Sequence, residues 1–250
     1  MSKELIQKAR KLAQEIVAPI TESVDKEGRF PKEAYDALKK QGFMGLLVPK
    51  EFGGLGFSII EHTGVCYELA RKDATTGLCY MMHNTGTSGI VSFGSAAMKD
   101  EFLPKIAKGE RAIALAYSES GSGTHFGSPD ISESLENGAR VLNGRKSFVT
   151  SALQADFYMT NTNSCKIKGA HNTWLVDRTL PNMIHEDSAW DGLGMRGNAS
   201  MPVQYNGVRV DEKYLVGKEG DGGNHAIAIV MYFVVGLAAV YTGLAQAAYE

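Results

Sequence analysis

The sequence predicts an α+β multidomain protein, and three observations carry that expectation. Residues 3–110 read almost wholly as helix, residues after Arg111 fall into short strands between Gly-rich turns, and helix returns from Asn224. Strands and helices do not alternate, which argues against a doubly wound parallel sheet. We accordingly divide the chain into an all-α domain at 1–110, an antiparallel, barrel-like β-domain at 111–222, and the first helix of a further helical domain at 223–250.

In the first block, "ELIQKARKLAQEIVAPITESVDKEG" spaces its apolar residues by three and four and stops at Gly28. "FPKEAYDALKKQG" opens on Pro31 and closes on Gly42, the asymmetry expected of helix ends. "VPKEFGGLGFS" reads as a loop, followed by helical stretches at 59–73, 75–94 and 96–110. In the second block, the runs at 112–120, 131–150, 155–163, 172–179 and 201–210 are rich in Val, Tyr, Phe and Thr. "ENGARVLNGRKSF" reads as a hairpin with polar Asn-Gly turns on either side of "ARVL". The last segment reaches Glu250 without a capping signal, so the fold is expected to continue past it.

Composition narrows the function. A net charge of −2 and scattered Lys and Arg offer no basic field for nucleic acid. Cys66, Cys79 and Cys165 are odd in number and lack CxxC spacing, which predicts buried thiols rather than disulfides, and no metal site. The N-terminus lacks a signal peptide's apolar core, so a cytoplasmic location is expected. The apolar run from Ala226 is broken by Thr242, Gln246 and two glycines, which predicts a buried helix and no membrane span. In "AYSESGSGTHFGSPD", residues 116–130, small residues leave backbone NH groups free to face a partner. By itself the stretch fits a solvated turn at least as well as a phosphate cradle.

"LLVPKEFGGLG", "FLPKIAKGE", "AYSESGSGTHFG", "LNGRKSFVTSALQADFYM", "DGLGMRGNASMPVQYNGVRV" and "LVGKEGDG" occur in an order and spacing that resembles the acyl-CoA dehydrogenase family across nearly the whole chain. The resemblance implies an N-terminal helical domain, a middle β-domain and a C-terminal four-helix bundle, with FAD between the last two. It implies α,β-desaturation of an acyl-CoA or other acyl thioester by hydride transfer to flavin N5, an electron-transferring flavoprotein as partner, and a homo-oligomer, tetramer or dimer. It also maps residues. Leu115 lies on the strand along the flavin ring, Tyr117 and Ser118 at the ring edge, and Gly123 and Thr124 at the pyrophosphate and substrate mouth. Phe148 takes the place of the stacking aromatic, usually Trp, Val149 follows it, and Thr150 supplies the hydroxyl that reaches N5. His125, where relatives mostly carry Asp, and Arg196, Asn198 and Ser200 map to substrate contacts, with Thr124 shared between cofactor and substrate. The chain departs from the family at Met231, Phe233 and Val234, where many relatives carry charged residues. The catalytic base is therefore expected beyond Glu250, and two alternatives stay open: a flavin-dependent monooxygenase on the same fold, or a non-catalytic subunit completing an FAD site with a partner chain.

Overall fold

A computed structural model of the chain describes residues 1–123, 125, 127–186 and 190–250. Helix α1 (Lys3–Leu12) starts on the Ser2 hydroxyl, which accepts from Leu5 N, and buries Leu5, Ala9 and Leu12 on one face. The single helix expected through Gly28 is interrupted. Pro19 cannot donate to the ladder, and the chain passes through a π turn (Ala13–Val17) and a 3₁₀ turn (Ala18–Ile20) before α2 (Thr21–Glu27). Gly28 and Gly42, at φ +62° and +77°, then end α2 and follow α3 (Lys32–Lys40) in the left-handed region that glycine enters freely. Ser58 and Glu61 form a capping box on α4 (Ile59–Ala70), Asp73 caps α5 (Ala74–Phe93), and Ser95 caps α6 (Ala96–Ala107).

Among the described residues seven strands follow: β1 (Ile113–Ala116), β2 (Ser132–Glu136), β3 (Ala139–Val149), β4 (Phe157–Asn163), β5 (His171–Asp177), β6 (Met183–His185) and β7 (Met201–Val210). β2–β3, β3–β7, β6–β7 and β4–β5 pair antiparallel, as expected, whereas β1 lies parallel to β4. Strand β1 is the joint between two cores. Its side chains alternate, so Ile113 and Leu115 enter the helical core while Ala114 and Ala116 enter the β core. Buried His83 on α5 fixes that joint, donating from Nε2 to Met44 O at 3.0 Å and accepting from Ile113 N at 3.2 Å. Burial pushes this imidazole down to about 4, so it stays neutral with its tautomer set by the two bonds.

Only one of the two Asn-Gly pairs in "ENGARVLNGRKSF" makes a turn. Asn137 and Gly138 both have positive φ and join β2 to β3 in a two-residue hairpin. Asn143-Gly144 instead stays inside β3, opposite a bulge at Gly207, whose NH donates to Asn143 Oδ1 at 2.8 Å. Cys165 is exposed rather than buried, because it lies in the β4–β5 loop.

Helix α7 (Gly222–Tyr249) is long and apolar enough to cross a membrane, and packs one face on α4 and α5 through Ile229, Gly236, Ala239, Val240 and Gly243. The expectation of a helix without a solvent face is not met in this chain. Ile227, Met231, Val234, Tyr241 and Leu244 stand exposed, because helices α4 and α5 cover only the small-residue seam. A Cβ at Gly243 would lie 2.6 Å from the Tyr67 carbonyl oxygen, and backbone cannot yield as a side-chain tip can. Gly243→Ala, which would gain about 1 kcal/mol in an open helix, is expected instead to destabilise by roughly 1–3 kcal/mol in a thermal melt.

Candidate functional site

The site is built where β3 leaves its regular pleat. Lys146 pairs with Val203 and Val149 with Met201, so Ser147 and Phe148 of β3 stand opposite Pro202 of β7 alone. Without that extra residue Lys146 and Phe148 would share a face. With it, Lys146 and Val149 are both buried and Phe148 turns outward, 58% exposed, edge-on to Trp190 with ring centroids 6.3 Å apart. Thr150 follows, buried, its hydroxyl 2.8 Å from the Ser200 hydroxyl. Ser147 Oγ, between Lys146 and Phe148, is buried with no hydrogen-bond partner among the described residues.

Phe148 forms one wall of a cavity of about 60 Å³ whose other walls are Leu115, Tyr117 and Ser118 beside it, Met82 of α5 and Phe233 of α7. Four residues expected at the cofactor, Leu115, Tyr117, Ser118 and Phe148, are thus brought together, with Val149 buried behind and Thr150 beyond. None of the described residues lining the slot is a carboxylate, imidazole or ammonium. Its one phenol, Tyr117, is pushed up to about 12 by burial and stays neutral, 3.5 Å from the Thr173 hydroxyl. Gly123 has φ +51° and open space where a Cβ would stand, a backbone shape suited to a loop approaching a ligand. Thr124 lies outside the described residues.

The substrate contacts divide differently from the expectation. His125 borders a separate cavity of about 370 Å³ with Gly127, Ser128, His171 and the start of α7. Arg196, Asn198 and Ser200 do not join it. Gly197 packs so close to Arg29 that a Cβ there would meet its carbonyl at 2.1 Å, Asn198 O accepts from Ser151 N at 2.9 Å, and Ser200 is tied to Thr150. This turn therefore stands on α2 and buttresses the Phe148–Thr150 strand end, while the Arg196 side chain remains exposed. Sequence reasoning missed Met82, Trp190 and His171 as site residues. Met82 sits in a helix buried on nearly every side, where periodicity marks no special face. Phe233, read there only as a missing charge, faces the slot, whereas Met231 and Val234 face outward at 55% and 53% exposure.

A strand-end aromatic, a buried hydroxyl pair and an apolar slot closed by two helices define a class of protein with a candidate ligand site between a β-domain and a helical layer. Comparison with known proteins gives the same class a family. The chain matches the acyl-CoA dehydrogenase N-terminal domain over residues 2–110 and the middle domain of the same family over 114–208. It belongs to the acyl-CoA dehydrogenase family. An acyl-CoA dehydrogenase of Bacillus subtilis (strain 168) is 31% identical over 96% of this chain and 64% of its own length, so the chain spans a little under two thirds of that relative. The solved butyryl-CoA dehydrogenase of Megasphaera elsdenii shares the fold at a TM-score of 0.91 and 24% identity, over 99% of this chain and 67% of that one. A solved FAD-dependent dehydrogenase matches at a TM-score of 0.83 and 26% identity, over 98% and 64% of the two chains.

Proposed function

We propose that this chain forms the N-terminal and middle parts of an acyl-thioester dehydrogenase that removes hydrogens from the α and β carbons of its substrate. FAD is the cofactor of the family, and the residues present fit it. The exposed Phe148 offers a face to an isoalloxazine, the Thr150–Ser200 hydroxyl pair can donate at the ring edge, and the loop at Gly123 has room for the pyrophosphate. When bound, FAD supplies the two-electron acceptor for the substrate's β-hydrogen.

The remaining work falls to the protein. Met82, Leu115 and Phe233 line the slot with apolar surface and exclude water from it. Among the described residues of the slot none can accept the α-proton, and we place that base on another segment. The larger cavity at His125 and His171 suits the carrier arm of the thioester, and the outward Met231 and Val234 offer that arm no charge. We propose further that the enzyme works as a homo-oligomer, with the bare face of α7 covered in the assembly, and passes its electrons to an electron-transferring flavoprotein.

The observation that carries this reading is the solvent-facing Phe148 beside a buried hydroxyl pair at the rim of an uncharged slot. The test is anaerobic bleaching of the flavin by a panel of acyl-CoAs and carrier-protein thioesters. Bleaching by either class supports dehydrogenation and identifies the carrier; a flavin left oxidised by every thioester refutes it. Thr150→Val, which keeps the shape and removes the hydroxyl, is expected to shift the flavin midpoint potential, measured by dye-linked reduction. An unchanged potential removes Thr150 from the ring edge.

A further inference from the structure

Lys146 is fully buried, yet it belongs to none of the surfaces described above. Its ammonium sits 2.5 Å from Glu119 Oε1, 2.8 Å from Asn161 O, 2.7 Å from Asn161 Oδ1 and 3.4 Å from Tyr117 O. All three donors of the cation are therefore used. Glu119 is as fully engaged, its carboxylate accepting from Asp130 N at 2.5 Å and Ile131 N at 3.2 Å. Those contacts have a topological consequence. Glu119 stands at the entry of the Gly-rich loop and Asp130 and Ile131 at its exit, so one carboxylate closes the loop's neck. Ser147 N also donates to Ser118 O at 2.8 Å, fastening the entry to β3 directly.

The same pair connects the two arms of the site. Lys146 is the last residue in register before the bulge that turns Phe148 outward, and Glu119 follows Tyr117 and Ser118 of the slot. Two charges at one buried point thus determine where the loop leaves the sheet and where β3 leaves its pleat. We propose that the buried Lys146–Glu119 pair is the positioning device of the flavin site, clamping the neck of the loop between residues 119 and 131 and holding Phe148 and Thr150 in the orientation that the ring requires. This inference rests on the flavin reading given above. Burial pulls Lys146 down to about 8 against the opposing pull of Glu119 and Asp130, so it is a cation at neutral pH. An ammonium kept in a dry interior at that cost is consistent with a role that a packed apolar side chain would not fill.

Two full-length variants test this. Lys146→Met combined with Glu119→Gln removes both charges together and is expected to fold, since exchanging a whole buried pair is tolerated better than breaking it. Glu119→Asp keeps the charge but draws the carboxylate back by one methylene, loosening its hold on the Asp130 and Ile131 amides, and serves if the double variant fails to fold. Hydrogen exchange on the apoprotein is expected to show at least tenfold faster exchange at the amides of Ser122, His125, Ser128, Asp130 and Ile131 in the double variant, with the melting temperature of the rest retained. FAD titration is expected to show at least a tenfold rise in Kd and a shifted flavin midpoint potential, with smaller changes of the same sign in Glu119→Asp. Parent-like exchange, Kd and potential in a folded variant overturn the proposal. A parent protein that refuses FAD overturns the flavin reading instead, and the exchange measurement still judges the clamp.

Discussion

Arg140→Met is expected to lower the unfolding free energy by about 3–5 kcal/mol, the usual cost of breaking a buried ion pair from one side. Arg140 has no exposed surface. It donates to Glu133 at 2.7 Å, to Glu212 at 2.8 Å and to Glu219, and lies 5.6 Å from the ring centroid of Trp174. Glu133, equally enclosed, also accepts from Trp174 Nε1 at 2.7 Å and Asn172 Nδ2 at 3.0 Å, and from Thr162. The methionine would fill the arginine's place and leave that carboxylate without its cation. The network joins β2, β3, β5 and the turn at Glu219 that leads into α7, so its loss is felt at both the sheet and the helix joint.

The pH dependence has a definite sign. Hydrogen bonds from Lys166 and then Arg140 hold Glu212 below the usual carboxylate value of 4.5. Burial opposes ionisation of Glu219, but hydrogen bonds from Ser164, Asn172 and Arg140 outweigh it and hold that carboxyl low as well. Groups lowered by folding stabilise above their unfolded pKa, and the benefit is lost as pH falls through the folded value. The parent is therefore expected to lose stability steeply below pH of about 4.5, and Arg140→Met less steeply, in urea titrations across pH. A variant within about 1 kcal/mol of the parent at pH 7 would show that Trp174, Asn172 and Thr162 suffice to hold Glu133.

Phe148→Ala is expected to separate binding from folding. An aromatic 58% exposed contributes little to the core, so the apoprotein should melt within about 0.5 kcal/mol of the parent. Against a bound ring the same side chain loses its remaining exposure, and its removal should cost FAD about 2 kcal/mol or more, roughly thirtyfold in Kd. Fluorescence titration of FAD gives the affinity and calorimetry the stability. A large fall in melting temperature with unchanged FAD affinity would assign Phe148 to the core and remove it from the site.

The sequence by itself determined the order of helical, β and helical blocks, because these follow from local periodicity and from glycines that tolerate positive φ, as at Gly28 and Gly42. The family resemblance in its motifs also marked Leu115, Tyr117, Ser118 and Phe148, which the slot then unites. Tertiary structure decided the rest, since each remaining feature depends on what stands opposite in space. Asn143-Gly144 has the composition of a turn, but pairing with β7 kept it in a strand. Asn198 and Ser200 look like exposed loop residues until Thr150 and α2 close over their turn. Lys146 reads as an ordinary strand lysine, and only the return of the loop from 119 to 131 makes it the centre of a buried charge pair. The bare face of α7 follows the same rule, for an apolar helix records that it will be covered and leaves its partner unstated.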